Sequence, residues 1–168
     1  MGPRPHNRQV RYELPELGPG DFRFSCEIEV RFRDLDAMGH VNNAVYATYF
    51  EVARAGYMRA IGCRSEPDRS MAKQFPFVVL DLYCRYLSPA FMDERLVVYL
   101  RTTTVGTSSF VFDYLVTSKA DARAVAQART TQVYYDYATG QSMPLPRPMR
   151  EAIARLESGP DPGDGRPA

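Results

Sequence analysis

The feature that most constrains the fold is one long segment, Ala44–Ile61, which is rich in Ala and apolar in nearly every direction around a helix. Only Glu51, Arg54 and Arg59 are charged within it. A helix that lacks a wide polar face is buried in a soluble domain. Gly62 follows it as a suitable stop, because glycine commonly ends helices. The sequence therefore predicts one central helix that the rest of the chain must cover.

The remaining patterns are those of strands. Apolar and polar residues alternate in five segments, which is typical of half-buried strands, and turn residues join the last four, which predicts antiparallel hairpins. A short amphipathic helix is predicted at Met149–Leu156. We therefore expect an α+β domain in which a five-stranded antiparallel sheet wraps around one long buried helix. The predicted strands are Phe22–Arg33, Phe77–Leu87, Asp93–Val105, Ser109–Ser118 and Ala124–Tyr137.

Glycine and proline mark the limits of this domain. Residues 1–20 and 158–168 together hold 13 of the 24 Gly and Pro residues. We therefore expect an N-terminal tail over 1–20, one domain over 21–157, and a disordered C-terminal tail over 158–168.

Charge and composition exclude several classes of protein. The formal net charge is +1, so there is no electrostatic reason to expect nucleic acid or an anionic membrane as partner. No apolar run approaches the ~18 residues of a membrane helix. The three cysteines, Cys26, Cys63 and Cys84, form no Cys-x-x-Cys pair, which fits a reducing cytoplasm. With two histidines, a metal site built on several His is excluded, and no Gly-rich nucleotide loop is present, so no cofactor is predicted.

Polar residues with chemical potential are concentrated just before the central helix. Asp34, Asp36, His40, Asn42 and Asn43 lie within ten residues. A helix N-terminus offers free backbone N–H groups that can polarise a carbonyl or hold an oxyanion. A nearby carboxylate can act as base or nucleophile. Together these groups would suit acyl transfer, although Asp and Asn in this position also commonly serve as caps and turn formers.

The segment that ends at Arg54 carries the motif Arg-x-x-Asp-x-Asp-x-x-Gly-His-Val-Asn-Asn-x-x-Tyr-x-x-Tyr-Phe-Glu-x-Ala-Arg. This motif closely resembles that of the hotdog-fold acyl-CoA thioesterases of the 4-hydroxybenzoyl-CoA thioesterase type. The likeness continues in Phe77-Val-Val-Leu-Asp-Leu-Tyr-Cys-Arg-Tyr-Leu-Ser-Pro89 and covers roughly residues 22–156. The resemblance implies a hotdog fold and hydrolysis of an acyl-CoA or acyl-carrier-protein thioester to free acid and thiol, without a cofactor.

The resemblance also implies residue roles. Asp36 would be the catalytic carboxylate, the backbone N–H of Asn43 would polarise the thioester carbonyl, and His40 would assist beside them. Glu51 is kept as a competing acid, because some branches of the superfamily place the catalytic carboxylate on the helix. The residues expected to contact substrate are Asn42, Tyr46, Gly106 and Ser109, the last two in a turn that resembles the pantetheine-binding turn of the family. Aromatic residues in such a core more often serve as packing, but five could line an aromatic or a fatty acyl pocket: Tyr46, Tyr49, Phe50, Phe75 and Phe77.

The resemblance implies that active sites form between two subunits, so a homodimer or homotetramer is expected. An unpaired sheet edge would independently favour self-association. Two rival functions stay open: a hotdog dehydratase or hydratase, and a non-catalytic acyl-thioester-binding protein. The acyl chain, the choice of CoA or carrier protein, and the choice of nucleophilic or general-base mechanism also stay open.

Structural roles are favoured for several other charged residues. We expect Asp34 to order the loop rather than to react. Glu51 and Arg54 stand three residues apart on the helix, which favours an ion pair between them. Asp81 and Arg85 are expected to form cross-strand or intersubunit ion pairs.

Overall fold

A computed structural model describes residues 13–63 and 77–159. The elements are β1 (Phe24–Glu29), α1 (Val45–Ala60), β2 (Phe77–Tyr86), β3 (Arg95–Val105), β4 (Ser109–Ser118), β5 (Ala124–Asp136), β6 (Gln141–Ser142) and α2 (Arg147–Glu157). The expectations for residues 1–12, 64–76 and 160–168, including those for most of both tails and for Phe75, lie outside the described residues. The limits of the domain therefore stay predictions.

The strands form one antiparallel sheet in the order β1-β3-β4-β5-β2, with β6 added beside β5. The sheet curls around α1, which confirms the predicted architecture. No described helix has both the length and the apolar character needed to cross a membrane. The alternation in the central strands also holds, since their inward residues are all buried: Leu96, Val98, Leu100, Phe110, Phe112, Tyr114 and Val116.

Strand β1 is shorter than predicted. It ends at Glu29, and Phe32–Asp34 forms a turn of 3₁₀ helix instead of continuing the strand. The carboxylate of Asp34 accepts a hydrogen bond from the backbone N–H of Arg31, which turns the chain away from the sheet. As a result, the side chain of Phe32 is 81% exposed, although the alternating pattern had placed it with the core.

Strand β2 is an edge of the sheet and leaves apolar surface in solvent. Leu80 is 67% exposed, and Val79 and Leu82 are also exposed. A bulge interrupts the pairing of β2 with β5 between Val79 and Asp81. Among the described residues, Asp81 makes no cross-strand ion pair but accepts a hydrogen bond from the backbone N–H of Thr131, at 3.1 Å.

Helix α2 is fastened to the far end of β3. Its apolar residues Met149 and Ile153 are buried in the core. Its last residue, Glu157, accepts two hydrogen bonds at Oε1, one from the Thr102 N–H at 2.7 Å and one from the Tyr57 hydroxyl at 2.6 Å. A bulge follows Thr102 in the pairing of β3 with β4. One carboxylate thus joins α1, β3 and α2.

Candidate active site

The loop before α1 forms a tight hairpin centred on Asp36. The Asp36 N–H donates to the His40 carbonyl, and the Gly39 N–H donates to the Asp36 carbonyl, both at 3.0 Å. Gly39 has φ of +81°, a conformation that favours glycine. Oδ1 of Asp36 accepts the Met38 N–H at 2.8 Å. The loop therefore holds the Asp36 side chain in one orientation.

The second carboxylate oxygen of Asp36 faces the imidazole of His40. Oδ2 of Asp36 lies 3.5 Å from Nδ1 of His40. The Asp36 side chain is 26% exposed and that of His40 is 39% exposed. Asp36 is therefore fixed by the backbone on one side and accessible on the other, as a base or nucleophile must be.

The residues between this hairpin and the helix are held by backbone hydrogen bonds. The Asn42 N–H donates to the Asp34 carbonyl and the Val45 N–H donates to the Asn42 carbonyl, both at 2.9 Å. Oδ1 of Asn42 accepts the Ala44 N–H at 2.9 Å. Asn42 thus turns the chain into α1 through a group that sequence analysis had considered for substrate contact.

The backbone N–H of Asn43 is left as a donor. The N–H groups of the residues on either side of Asn43 donate hydrogen bonds, and the Asn43 carbonyl accepts one from the hydroxyl of Tyr86 at 2.9 Å. Within residues 13–63 and 77–159, the Asn43 N–H donates no hydrogen bond. Because α1 begins two residues later, this N–H belongs to the positive end of the helix dipole. The arrangement can polarise a carbonyl that approaches from solvent.

Asp34 holds the loop before α1 in place through hydrogen bonds. Its carboxylate accepts the Arg31 backbone N–H at 3.0 Å, two guanidinium N–H groups at 3.2 Å, and the Tyr49 hydroxyl at 2.9 Å. Burial by itself would raise the pKa of Asp34, but the hydrogen bonds from Arg31 and Tyr49 outweigh it and lower the pKa below its usual value. Asp34 is thus a buried structural anion that orders the loop.

Tyr46, in the first turn of α1, packs against neighbouring tyrosines. Its side chain is buried, and its ring contacts those of Tyr49 and Tyr86 at centroid distances of 5.8 and 5.2 Å. Burial raises the pKa of Tyr46 to about 12. The sequence pattern placed Tyr86 in a strand but not in the site, because Tyr86 reaches the Asn43 carbonyl from the end of β2 and no spacing pattern relates the two segments.

Gly106 and Ser109 are not brought to Asp36 within one chain. They close the β3–β4 turn, where the Gly106 N–H donates to the Ser109 carbonyl at 2.7 Å. The hairpin of Asp36 instead adjoins the beginning of β3, since the Val41 N–H donates to the Ala90 carbonyl. The length of β3 separates the two places by roughly 30 Å.

Glu51 stands apart from the loop, exposed on the second turn of α1. The ion pair predicted between Glu51 and Arg54 is not formed in the described part of the chain. Burial raises the pKa of Tyr114, and the positive charge of Arg54 acts against that rise. Among the described residues, no group of three or more His, Cys, Asp and Glu could hold a metal ion.

Most of the chain is similar to known proteins. Residues 30–153 match the model of the Thioesterase-like superfamily. The uncharacterized protein YsmA of Bacillus subtilis is 35% identical over 94 residues, which are 56% of this chain and 60% of that protein. The long-chain acyl-CoA thioesterase FadM of Escherichia coli is 28% identical over 131 residues, 77% of this chain and 96% of FadM. A Thermus thermophilus thioesterase solved with coenzyme A and Zn has a TM-score of 0.72 and 36% identity, covering 83% of this chain and 98% of that one.

Proposed function

This chain belongs to the Thioesterase-like superfamily, and from that premise we propose that it hydrolyses an acyl-CoA thioester, with Asp36 as the catalytic carboxylate. The observation that carries the proposal is that one loop holds both an accessible, fixed carboxylate, that of Asp36, and the Asn43 N–H at the start of α1, which donates no hydrogen bond among the described residues. These are the two groups that acyl transfer requires. Relatives named as a long-chain acyl-CoA thioesterase and an acyl-CoA thioester hydrolase support the substrate class.

In the proposed reaction, the thioester carbonyl oxygen accepts a hydrogen bond from the Asn43 N–H. Asp36 then takes a proton from a water molecule as the water oxygen adds to the carbonyl carbon. Collapse of the tetrahedral intermediate breaks the C–S bond, and the departing thiolate takes up the proton. In the alternative route, Asp36 attacks the carbonyl itself and expels the thiolate, and water then hydrolyses the mixed anhydride. His40 positions the second oxygen of Asp36 in both routes.

We further propose that a second copy of the chain completes the site. Asp36 and the Gly106 turn lie at opposite ends of β3, so one chain cannot readily offer both to the same thioester group. The exposed apolar side chains of β2, including Leu80, offer a surface for this second copy. In a homodimer or homotetramer, the partner would supply the turn that contacts the pantetheine arm, with Ser109 as its side-chain donor.

A thiol-release assay over short, long and aromatic acyl-CoAs, together with an acyl-carrier-protein thioester, tests the function. Asp36→Asn should lower turnover by about 10²–10⁴, the usual contribution of a general base. Glu51→Gln is the matched control, because it makes the same carboxylate-to-amide change at the competing acid and should retain activity. Near-normal turnover by Asp36→Asn, or loss of turnover by Glu51→Gln alone, would overturn the assignment.

The two routes differ in where label from water appears. After a single turnover in ¹⁸O-water, the nucleophilic route leaves ¹⁸O in the Asp36 carboxylate when water attacks its side of the anhydride. The general-base route places label in the released acid alone. Label in the peptide that contains Asp36, measured by mass spectrometry, therefore identifies the nucleophilic route.

A further inference from the structure

One arginine on α2 controls the β3–β4 turn. The guanidinium of Arg150 donates to the carbonyls of Gly106 at 2.6 Å, Thr107 at 2.7 Å and Leu145 at 3.3 Å. We propose that Arg150 is a positioning residue for substrate, which shapes the Gly106–Ser109 turn so that it binds the CoA portion of the thioester. This inference rests on the proposed function and adds a residue from the C-terminal helix to it.

All four carbonyl oxygens of the turn are occupied within the chain. Arg150 takes those of Gly106 and Thr107, the Tyr134 N–H donates to Ser108 at 2.8 Å, and the Gly106 N–H donates to Ser109. The Leu145 N–H adds a second hydrogen bond to Thr107, at 2.9 Å. The turn therefore has no unoccupied acceptor on its backbone.

Backbone N–H groups of the same turn point away from α2. None of the described peptide bonds is cis, and in a trans peptide the N–H points opposite to the C=O. Because the carbonyls of Gly106 and Thr107 face Arg150, the following N–H groups, those of Thr107 and Ser108, face away from α2. Neither donates a hydrogen bond within the described residues. Consecutive free N–H groups make a concave site for oxygen acceptors.

This arrangement is complementary to the chemistry of CoA. The pantetheine arm and the nucleotide carry amide carbonyls and phosphate oxygens, which are acceptors. Arg150 also makes no ion pair within 4.0 Å in the part of the chain that the structure describes, so its positive charge remains available to favour an anion nearby. If the guanidinium were removed, the Gly106 carbonyl would lose its donor and the Thr107 carbonyl would keep only the Leu145 N–H. The turn would then present an unpaired acceptor, which repels phosphate.

Helix α2 provides a matched control. Arg147 stands one turn before Arg150, is 89% exposed, and pairs with Glu151 alone among the described residues. Arg147→Met and Arg150→Met remove the same charge from the same helix. They differ in whether the β3–β4 turn loses its support.

The experiment measures CoA affinity by calorimetry and steady-state kinetics with two substrates, an acyl-CoA and the same acyl group on N-acetylcysteamine. Arg150→Met should raise the Kd for CoA and the KM for acyl-CoA about tenfold, because a disordered turn must be ordered on binding. The kcat should change less than about twofold. The N-acetylcysteamine thioester lacks the phosphates and most of the pantetheine arm, so it should react as with the wild type. Arg147→Met should match the wild type throughout.

Equal Kd values for Arg150→Met and Arg147→Met would overturn the inference, as would an equal loss with both substrates, which indicates a merely structural role. If Arg150→Met does not fold, Arg150→Lys decides. Lysine keeps the charge but cannot donate to three carbonyls at once, so the Kd for CoA should increase about threefold. An unchanged Kd would contradict the inference. Absence of thiol release by the wild type would instead overturn the proposed function, whereas the CoA titration needs no turnover and still decides the role of Arg150.

Discussion

Changing each aspartate of the Asp-x-Asp motif to asparagine should affect a different property: stability for Asp34→Asn and turnover for Asp36→Asn. Asp34 accepts four hydrogen bonds, three from Arg31 and one from Tyr49, and its side chain is buried. Asparagine keeps one acceptor oxygen, loses the charge, and turns an N–H₂ group toward donors. Hydrogen bonds to charged groups contribute about 1.5–3 kcal/mol each. Because the Arg31 side chain is 48% exposed and therefore screened, we expect Asp34→Asn to lower the free energy of unfolding by about 2 kcal/mol.

Urea unfolding and thermal melting at pH 7 measure this change. For a domain of this size, a loss of about 2 kcal/mol lowers the Tm by about 4–8 °C. Asp36→Asn is the paired variant, since its Oδ1 can still accept the Met38 N–H. It should melt within about 1 °C of the wild type and lose turnover. If Asp34→Asn melts with the wild type, the proposed support of the loop by Asp34 is refuted.

The effect of Asp34 should also depend on pH in a defined direction. The pKa of its carboxyl is lowered in the folded protein, so the unfolded chain binds the proton more readily. The stabilisation is therefore present above the unfolded pKa, about 3.9, and is lost as pH falls through the lower folded value. The difference in Tm between wild type and Asp34→Asn should accordingly shrink below about pH 4. A difference that grows on acidification would contradict the reasoning.

Two further variants test the surroundings of the site. Tyr86→Phe removes the donor to the Asn43 carbonyl. The kcat for acyl-CoA should therefore fall about threefold to tenfold, the effect of one hydrogen bond of ~1 kcal/mol, while circular dichroism shows an intact fold. An unchanged kcat would contradict a positioning role for Tyr86. Leu80→Lys places a charge on the exposed apolar edge of β2. Sedimentation velocity should then show a shift from oligomer to monomer, and thiol release should be lost. A wild-type protein that is itself monomeric and active would disprove a site composed from two chains.

The parts of the fold that depend on local periodicity were predictable. Strand β4 has the limits that its alternation predicted, and the inward positions of β3 and β4 are buried as expected. The prediction was wrong where a side chain competes with the sheet. At β1 the alternation continues through Phe32, but the Asp34 carboxylate captures the Arg31 N–H and ends the strand. The two-residue strand β6 is too short to leave a periodic signal.

The site divides in the same way. Asp36, His40, Asn42 and Asn43 are close in sequence, so one motif could group them, although their catalytic roles stay predictions. Tyr86 and Arg150 come from distant elements and donate to backbone carbonyls, a group that every residue carries. No pattern of residues in the sequence predicts such contacts. The cytoplasmic location likewise stays a prediction.

The hydrogen bonds of Glu157 bear on how the molecule opens. Glu157 ties the end of α2 to Thr102 in β3, and Arg150 on the same helix ties it to the turn that follows β3. Detachment of α2 would therefore release the Thr102 amide and the turn together, as one cooperative unit in hydrogen exchange. The start of α1, held by Asp34 and Tyr86, has no hydrogen bond to α2 among the described residues and would stay closed during that event. The protein thus keeps its proposed reaction centre and its proposed CoA-binding turn in separately opening regions.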